Sequence, residues 1–140
     1  VGVDASFRAV KYAASMHGWA KYICADFFEL PFKDSSFQRG TAIEVLEHLS
    51  EPKAALAEMN RCLKTGGMVV VLVPDENNIL FRIIWRLWTM GKGRVWKDAH
   101  VQRFVEKSLK GLLSSAGFQV VETKKFLLGM LLAVRAIKKG

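Results

Sequence analysis

Strand-like and helix-like segments alternate along this chain of 140 residues, and this alternation constrains the fold more than any other feature. The run 68–73 is apolar throughout and rich in β-branched residues, as expected of a strand covered on both faces, and Pro74 ends it. Alternation of this kind predicts a parallel sheet with helices on both sides. The predicted fold class is therefore α/β, a three-layer sandwich with a mostly parallel sheet.

Turn and capping residues set the predicted boundaries of these segments. Ser6 is placed to cap a helix, and Glu51-Pro52 opens another because the missing N–H of proline costs nothing in the first turn. We expect the second helix to end at 65–67 on a left-handed glycine. The tightly joined segments 118–125 and 129–137 predict a C-terminal antiparallel hairpin. The other predicted elements are two strands, 22–25 and 40–43, and two helices, 78–90 and 106–116.

Size and charge favour one compact domain over 1–140 and exclude several function classes. A chain of this length is able to bury a core. The formal net charge of +8 is compatible with nucleic acid, but no zinc finger, RNA-binding aromatic signature or basic zipper accompanies it, so nucleic-acid binding is not expected. The longest apolar runs, around 79–90 and 126–134, are far shorter than the ~20 residues of a membrane-spanning helix.

The two cysteines, Cys24 and Cys62, lack the close spacing of a metal knuckle or a redox motif. Cys24 falls in a predicted strand and Cys62 near a helix end, so both are expected to be free, buried thiols. Such thiols are typical of a reducing compartment, and the expected location is cytoplasmic.

Two predicted strands lead into a carboxylate, Asp4 after 1–3 and Asp26 after 22–25. Open α/β sheets bind ligands outside the carboxyl ends of their strands. There Asp4 is positioned to accept both hydroxyls of a ribose; its alternative role is to cap the following helix. Asp26 is suited to an exocyclic amine and Phe27 to a purine face, while the alternative place for Phe27 is the core. Together the two strand ends predict an adenosine site.

Several motifs, in this order, resemble those of class I S-adenosylmethionine-dependent methyltransferases of the small-molecule type, and the resemblance covers nearly the whole chain. The motifs are the strand Val1-Gly2-Val3-Asp4-Ala5-Ser6, the segment Ala25-Asp26-Phe27, the loop Leu30-Pro31-Phe32-Lys33-Asp34-Ser35-Ser36-Phe37, the segment Glu44-Val45-Leu46-Glu47-His48-Leu49, the turn Cys62-Leu63-Lys64-Thr65-Gly66-Gly67, and an H-x-x-x-F…A-G-F pattern over 100–118. The resemblance implies a Rossmann-like fold and S-adenosylmethionine as the cofactor.

The resemblance also implies which residues bind that cofactor. The family's ribose-binding strand matches Asp4, Ala5 and Ser6, and its adenine-side motif matches Asp26 and Phe27. Residues Ile43 and Glu44 are then expected to border the methionine part, where a carboxylate near a sulfonium cation is electrostatically favourable.

Two departures from the family pattern qualify this expectation. Gln38 stands where the family usually has aspartate, and the glycine-rich loop, with the strand and helix around it, has no counterpart. The sequence is therefore interpreted as an N-terminally truncated domain that lacks the first strand and helix and binds the cofactor poorly. The strands ending at Asp4 and Ile43 must then pair directly, stay apart, or be joined by residues outside this sequence.

The segment Glu44-x-x-Glu47-His48 is expected to face the transferable methyl group. His48 is the candidate catalytic residue, a general base toward an acceptor hydroxyl; its alternative role is structural, at the start of the Pro52 helix. Two carboxylates and an imidazole at this spacing could hold a divalent metal, but such neighbours are common on one helical turn without one. No metal is therefore expected.

The stretch 79–97 carries three of the four tryptophans together with Arg82 and Arg86. It lies within an expected lid or substrate-side insertion at about 76–104. A lid packed over the pocket is the favoured interpretation, and the compatible alternative is peripheral contact with a membrane by a basic, tryptophan-rich helix.

These observations predict S-adenosylmethionine-dependent methyl transfer to a small-molecule or lipid-linked acceptor, impaired in this fragment. The alternative is a non-catalytic or membrane-surface binding module that retains the fold. A nicotinamide-dependent oxidoreductase is disfavoured, since the C-terminal hairpin and the Glu-His segment fit the methyltransferase pattern and no tyrosine and lysine pair for hydride transfer stands out.

Overall fold

The computed structural model describes residues 1–91, 93–94 and 100–140. Its strands are β1 (Gly2–Asp4), β2 (Tyr22–Cys24), β3 (Phe37–Ile43), β4 (Leu63–Pro74), β5 (Phe118–Phe126) and β6 (Leu131–Lys138). Its helices are α1 (Phe7–Met16), α2 (Pro52–Cys62), α3 (Ile79–Thr89) and α4 (Glu106–Ser115), with a 3₁₀ turn at Leu46–His48. The predicted alternation of strands and helices is therefore confirmed in the described residues.

The strands form two sheets. Strands β1 and β2 pair in parallel, and the larger sheet has the order β3-β4-β6-β5. Strand β3 is parallel to β4, whereas β6 runs antiparallel to both β4 and β5, so three of the four strands in this sheet share one direction. The predicted antiparallel hairpin is confirmed as β5 and β6.

The core lies between one face of the larger sheet and helices α2 and α4. Its fully buried side chains include Leu56, Val69, Val71, Val73, Leu109, Leu113, Phe118 and Val134. On β4 the buried valines alternate with the half-buried Val70 and Leu72. Strand β4 is thus fully covered on one face and partly covered on the other, whereas the sequence predicted a strand covered on both faces.

A cavity of about 390 Å³ separates β1 from β3. Its lining includes Gly2 and Val3 on one side and Gly40 and Thr41 on the other. Within the described residues the two strands belong to different sheets, so they do not pair directly and lie apart across this cavity. Strand β1 is accordingly only half-buried.

Two local predictions are corrected. Helix α2 ends at Cys62, before 65–67, because Leu63 is already extended (φ −83°, ψ 144°) and pairs with Phe37. Cys24 is exposed because the two-stranded sheet covers it incompletely, whereas Cys62 is buried as expected, and both thiols are free. Among the described helices, none has the length and apolar character needed to cross a bilayer.

Candidate functional site

Two carboxylates lie at the carboxyl ends of the neighbouring strands β1 and β2. The Ala25 N–H donates to the backbone oxygen of Asp4 at 3.2 Å and holds the two strand ends together. Asp4 Oδ1 accepts from the Ser6 N–H at 2.7 Å, and Asp26 Oδ1 accepts from the Phe28 N–H at 2.9 Å. Both aspartates are exposed, so this edge presents two fixed carboxylates to solvent.

Ser6, rather than Asp4, caps helix α1. Its backbone is extended (φ −87°, ψ 110°) and its Oγ accepts from the Ala9 N–H at 3.3 Å. Asp4 instead accepts a hydrogen bond from the Ser6 N–H, and the Asp4 carboxylate stays at the sheet edge. Ala5, between them, accepts a hydrogen bond from Cys24 Sγ at 3.4 Å through its backbone oxygen.

The end of β3 carries the second group of predicted site residues. Ile43 is 55% exposed although it lies in a strand of the larger sheet. Glu44 follows with a left-handed backbone (φ 53°), and its N–H donates to Leu72 O at 2.9 Å. This conformation is uncommon for a residue other than glycine and turns the chain sharply into the 3₁₀ turn that carries Glu47 and His48.

Glu47 is a buried acid, with 1% of its side chain exposed. Neither of its carboxylate oxygens has a hydrogen-bond partner among the described residues, and His48 Nε2 lies 4.0 Å from Oε1. Desolvation raises the pKa of Glu47 to about 7, and the nearby Glu44 carboxylate acts in the same direction. The pKa of Glu44 is also raised by desolvation, against the opposing effect of His100 and His48.

His100 approaches this cluster from a distant part of the chain. The His48 and His100 rings are 5.2 Å apart, centroid to centroid, and Trp85 stacks on His100 at 4.5 Å. Glu76 Oε1 lies 2.8 Å from His100 Nδ1. The Val101 and Gln102 N–H groups both donate to the backbone oxygen of Glu47, at 2.8 and 3.0 Å, so main-chain bonds fasten the two segments together.

The structure separates the predicted cofactor residues into two groups. Asp4, Ala5, Ser6 and Asp26 lie at one edge, whereas Ile43, Glu44 and His48 lie beyond the cavity between β1 and β3. Phe27 lines that cavity and packs against the core, which is the alternative place considered for its ring. His100 and Glu76 were not predicted to join the site. The only sequence signal for His100 is its place in the H-x-x-x-F pattern, which does not indicate what it contacts.

Residues 1–71 match a family model described as a methyltransferase domain. The chain is 33% identical over 117 residues to a ubiquinone/menaquinone biosynthesis C-methyltransferase of Teredinibacter turnerae, covering 72% of this chain and 47% of that protein. It is 32% identical over 128 residues to a demethylmenaquinone methyltransferase of Staphylococcus aureus, covering 81% and 53%. The chain spans about half the length of these curated relatives.

A solved structure extends the likeness to three dimensions. This is a SAM-dependent methyltransferase of Thermotoga maritima, described as a possible histamine N-methyltransferase, with a TM-score of 0.80 and 25% identity over 99% of this chain and 73% of that one. The Rossmann-like α/β fold predicted from the sequence is therefore confirmed. Since the family model matches just over half of its residues, the chain belongs to the methyltransferase domain family.

Proposed function

We propose that this chain carries the nucleoside-binding and acceptor-side residues of an S-adenosylmethionine-dependent methyltransferase. The observation that supports this most directly is the pair of exposed carboxylates, Asp4 and Asp26, fixed by backbone N–H groups at one sheet edge inside the region that matches the family. Carboxylates so placed accept hydrogen bonds from ribose hydroxyls and from an exocyclic amine. The residues present therefore fit the nucleoside half of the cofactor.

The chemistry supplied by the bound cofactor is an activated methyl group, so the protein has mainly to align an acceptor with it. Ile43 and Glu44 border the methionine part in this proposal, and the Glu44 carboxylate favours the neighbouring positive charge. His48, whose side chain is 39% exposed, receives the proton that the acceptor loses. Glu47, 4.0 Å from His48 Nε2, positions that imidazole.

Binding by this chain is proposed to be weak. The two groups of cofactor residues belong to different sheets, with a cavity of about 390 Å³ between β1 and β3. No described backbone hydrogen bond joins β1 to β3, so the two halves of the site are not held at a fixed spacing. The bound cofactor would have to order them, and that ordering reduces the affinity.

The proposed acceptor is small and apolar, or lipid-linked. Helix α3 presents a stripe of exposed residues, Ile79, Ile83 and Leu87, with exposures of 73, 51 and 66%, flanked by Arg82 and Arg86. The opposite side of α3 carries Phe81 and Trp85, which stack on each other at 5.7 Å. An apolar stripe beside arginines suits the surface of an anionic membrane. Residues 92 and 95–97 of the predicted stretch 79–97, and residues 98–99 of the expected insertion at about 76–104, lie outside the described residues.

The names of the relatives support the same acceptor class. The Staphylococcus aureus relative is named for demethylmenaquinone and the Teredinibacter turnerae relative for ubiquinone and menaquinone biosynthesis. Methyl transfer to carbon of a lipid-linked quinone precursor is therefore the specific form of the proposal. The predicted lid or insertion at about 76–104 would bring this acceptor to the end of β3.

Calorimetric titration of S-adenosylhomocysteine tests the cofactor site. We expect weak binding to this chain, tighter binding to the full product of its gene, and at least a tenfold loss with Asp4→Ala in the full product. Glu29→Ala, which removes another exposed acid close by, is the matched control and should leave the affinity unchanged. Absence of binding to both proteins, or equal affinity for Asp4→Ala and the parent, would contradict the proposal.

A membrane-surface binding module without catalysis is the second candidate, favoured by the exposed stripe on α3. Sedimentation with phosphatidylcholine–phosphatidylglycerol vesicles tests the surface. Leu87→Glu is expected to reduce the bound fraction several-fold, whereas Val121→Glu, at a 51% exposed position of β5, should not. Vesicle binding together with no S-adenosylhomocysteine binding by the full gene product would favour the second candidate. Negligible vesicle binding by both proteins would count against peripheral membrane contact.

A further inference from the structure

The acidic and imidazole side chains around the 3₁₀ turn form a compact set of potential metal ligands. One ligand atom each from Glu47, His48 and His100 lies within 4.8 Å of the other two. These three residues supply one oxygen donor and two nitrogen donors from two distant segments of the chain. Glu44, outside this group, is a second carboxylate close enough to interact electrostatically with Glu47 and with both imidazoles.

The burial of Glu47 is the independent observation that points to a ligand. Its side chain is 1% exposed, and both carboxylate oxygens are without a hydrogen-bond donor among the described residues. A buried carboxylate without donors costs free energy, and such groups in proteins are paired or coordinate a metal. Its neighbour Glu44 is a second acid whose negative charge repels that of Glu47, and a bound cation would offset this repulsion.

The surroundings of His100 are those of an oriented metal ligand. The carboxylate of Glu76 lies 2.8 Å from Nδ1, and Arg103 Nε lies 3.3 Å from the other oxygen of Glu76. A histidine that binds a metal through one ring nitrogen usually donates the other N–H to a carboxylate, which fixes its tautomer. Stacking of Trp85 on the ring, at 4.5 Å, further limits its rotation. The nitrogen that remains for a ligand is Nε2.

We propose that Glu47, His48 and His100 bind a divalent first-row transition metal, with Glu44 at the exposed side of the site. Mixed imidazole and carboxylate donors suit Mn²⁺, Fe²⁺, Co²⁺ or Zn²⁺ better than Ca²⁺ or Mg²⁺, which prefer oxygen. Tetrahedral ligands about 2.1 Å from one ion are about 3.4 Å apart, so donor atoms that now lie within 4.8 Å of one another must approach by up to roughly 1.4 Å, shared between the side chains. The partly exposed His48 has room for that shift.

This inference revises the expectation of no metal drawn from the sequence. That expectation considered the residues of one turn, where carboxylate and histidine neighbours are common. The approach of His100, fastened by the Val101 and Gln102 N–H groups, supplies a ligand from elsewhere in the fold. The inference concerns binding alone and is tested without the proposed methyl transfer. With the ion bound, His48 would be a metal ligand and not the proton acceptor of that reaction.

Titration of the metal-stripped 140-residue chain with Mn²⁺, followed by the electron paramagnetic resonance signal of the free ion, tests the site directly. We expect one saturable Mn²⁺ per chain, displaced by Zn²⁺ and not by excess Mg²⁺. Glu47→Gln, which keeps the shape and removes the charge, and His100→Ala should each lower the affinity at least tenfold. Glu76→Gln should lower it by roughly 10–100-fold by releasing the His100 ring.

Two matched controls distinguish a built site from general charge effects. Glu51→Gln and His17→Ala change exposed residues of the same types outside the cluster and should bind as the parent does. Circular dichroism establishes that each variant is folded. If Glu47→Gln does not fold, His48→Ala, at a partly exposed position, takes its place in the titration. Absence of saturable binding, or parent-like affinity in the folded ligand variants, or equal losses in the controls would overturn the proposal.

Discussion

Arg61 holds the loop before β3 in place. Its Nη1 donates to Phe32 O and to Asp34 Oδ1, both at 2.7 Å, and its Nη2 donates to Leu30 O at 3.1 Å. Glu58 accepts from Nη2 at 2.6 Å and from Nε at 2.8 Å, and it also accepts from the Leu30 N–H at 2.9 Å. The Glu58–Arg61 ion pair on α2 thus satisfies backbone groups of Leu30 and Phe32 in this loop.

The first prediction concerns the pH dependence of this ion pair. Hydrogen bonding by Arg61 holds the pKa of Glu58 below its ordinary value of 4.5. A lowered pKa in the folded state stabilises the fold above the unfolded pKa, and this contribution is lost as the pH falls below about 4.5 through the folded pKa. The melting temperature of Glu58→Gln should therefore lie below that of the parent at pH 6, and the difference should shrink toward pH 3.

Glu51→Gln is the control for this measurement because its side chain is exposed and makes no capping bond to α2. Its melting temperature should follow that of the parent across the same range. A difference between Glu58→Gln and the parent that stays constant from pH 6 to pH 3 would show that the carboxylate charge does not contribute.

The roles of single residues could be predicted from the sequence where they depend on neighbouring residues, and not where they depend on tertiary contacts. Ser6 was recognised as a cap because capping depends on the next few residues. The approach of His100 to Glu47 depends on two main-chain hydrogen bonds between distant segments, and no spacing rule predicts them. The exposure of Cys24 was likewise unpredictable, because it results from the incomplete cover that the two-stranded sheet gives to β2.

Helix α4 and strand β5 meet at a buried junction. Leu109 and Leu113 on α4 and Phe118 at the start of β5 each have 0% exposure. Gly117, with φ 86°, makes the sharp turn between the helix and the strand. This geometry brings Phe118 directly into the core beneath α2 and α4.

The second prediction is that Phe118→Ala destabilises the fold strongly. Removal of a fully buried aromatic side chain leaves a cavity, and the cost is typically about 3–5 kcal/mol. Urea denaturation should show a lower midpoint with an unchanged slope. Val121→Ala, on the same strand but 51% exposed, is the control and should change stability by about 0.5 kcal/mol or less. Similar losses in the two variants would mean that Phe118 does not occupy the core.

The elements themselves were largely predictable because their signals are local and periodic. Pro52 marked the start of α2, and the two C-terminal segments were recognised as a hairpin. The end of α2 was misplaced because a glycine pair normally ends a helix, whereas here pairing of Leu63 with Phe37 begins strand β4 earlier. Gly66 does adopt a left-handed backbone (φ 72°), but within β4, where the pairing with β3 is irregular, and not as the helix cap.

The whole molecule is divided between a well-packed unit and a sparsely packed one. The four-stranded sheet with α2 and α4 contains nearly all of the buried core. In contrast, α1, which is described over its full length, contributes no buried residue, and its Phe7 and Tyr12 are 68 and 67% exposed. An isolated two-stranded sheet is at best marginally stable in water. The sheet edge with Asp4 and Asp26, where we propose nucleoside binding, therefore lies on the less stable part of the fold.

The third prediction is that this unit opens independently of the larger sheet. Native-state hydrogen exchange should show that the amides of Gly2 and Ala25, which join β1 and β2, exchange at least roughly tenfold faster than those of Val71 and Val134 in the β4–β6 ladder. Saturating S-adenosylhomocysteine should slow exchange in the first pair more than in the second, because the proposed ligand contacts at Asp4 and Asp26 would stabilise the closed form. Equal protection of both pairs without ligand would show that the two sheets unfold as one cooperative unit.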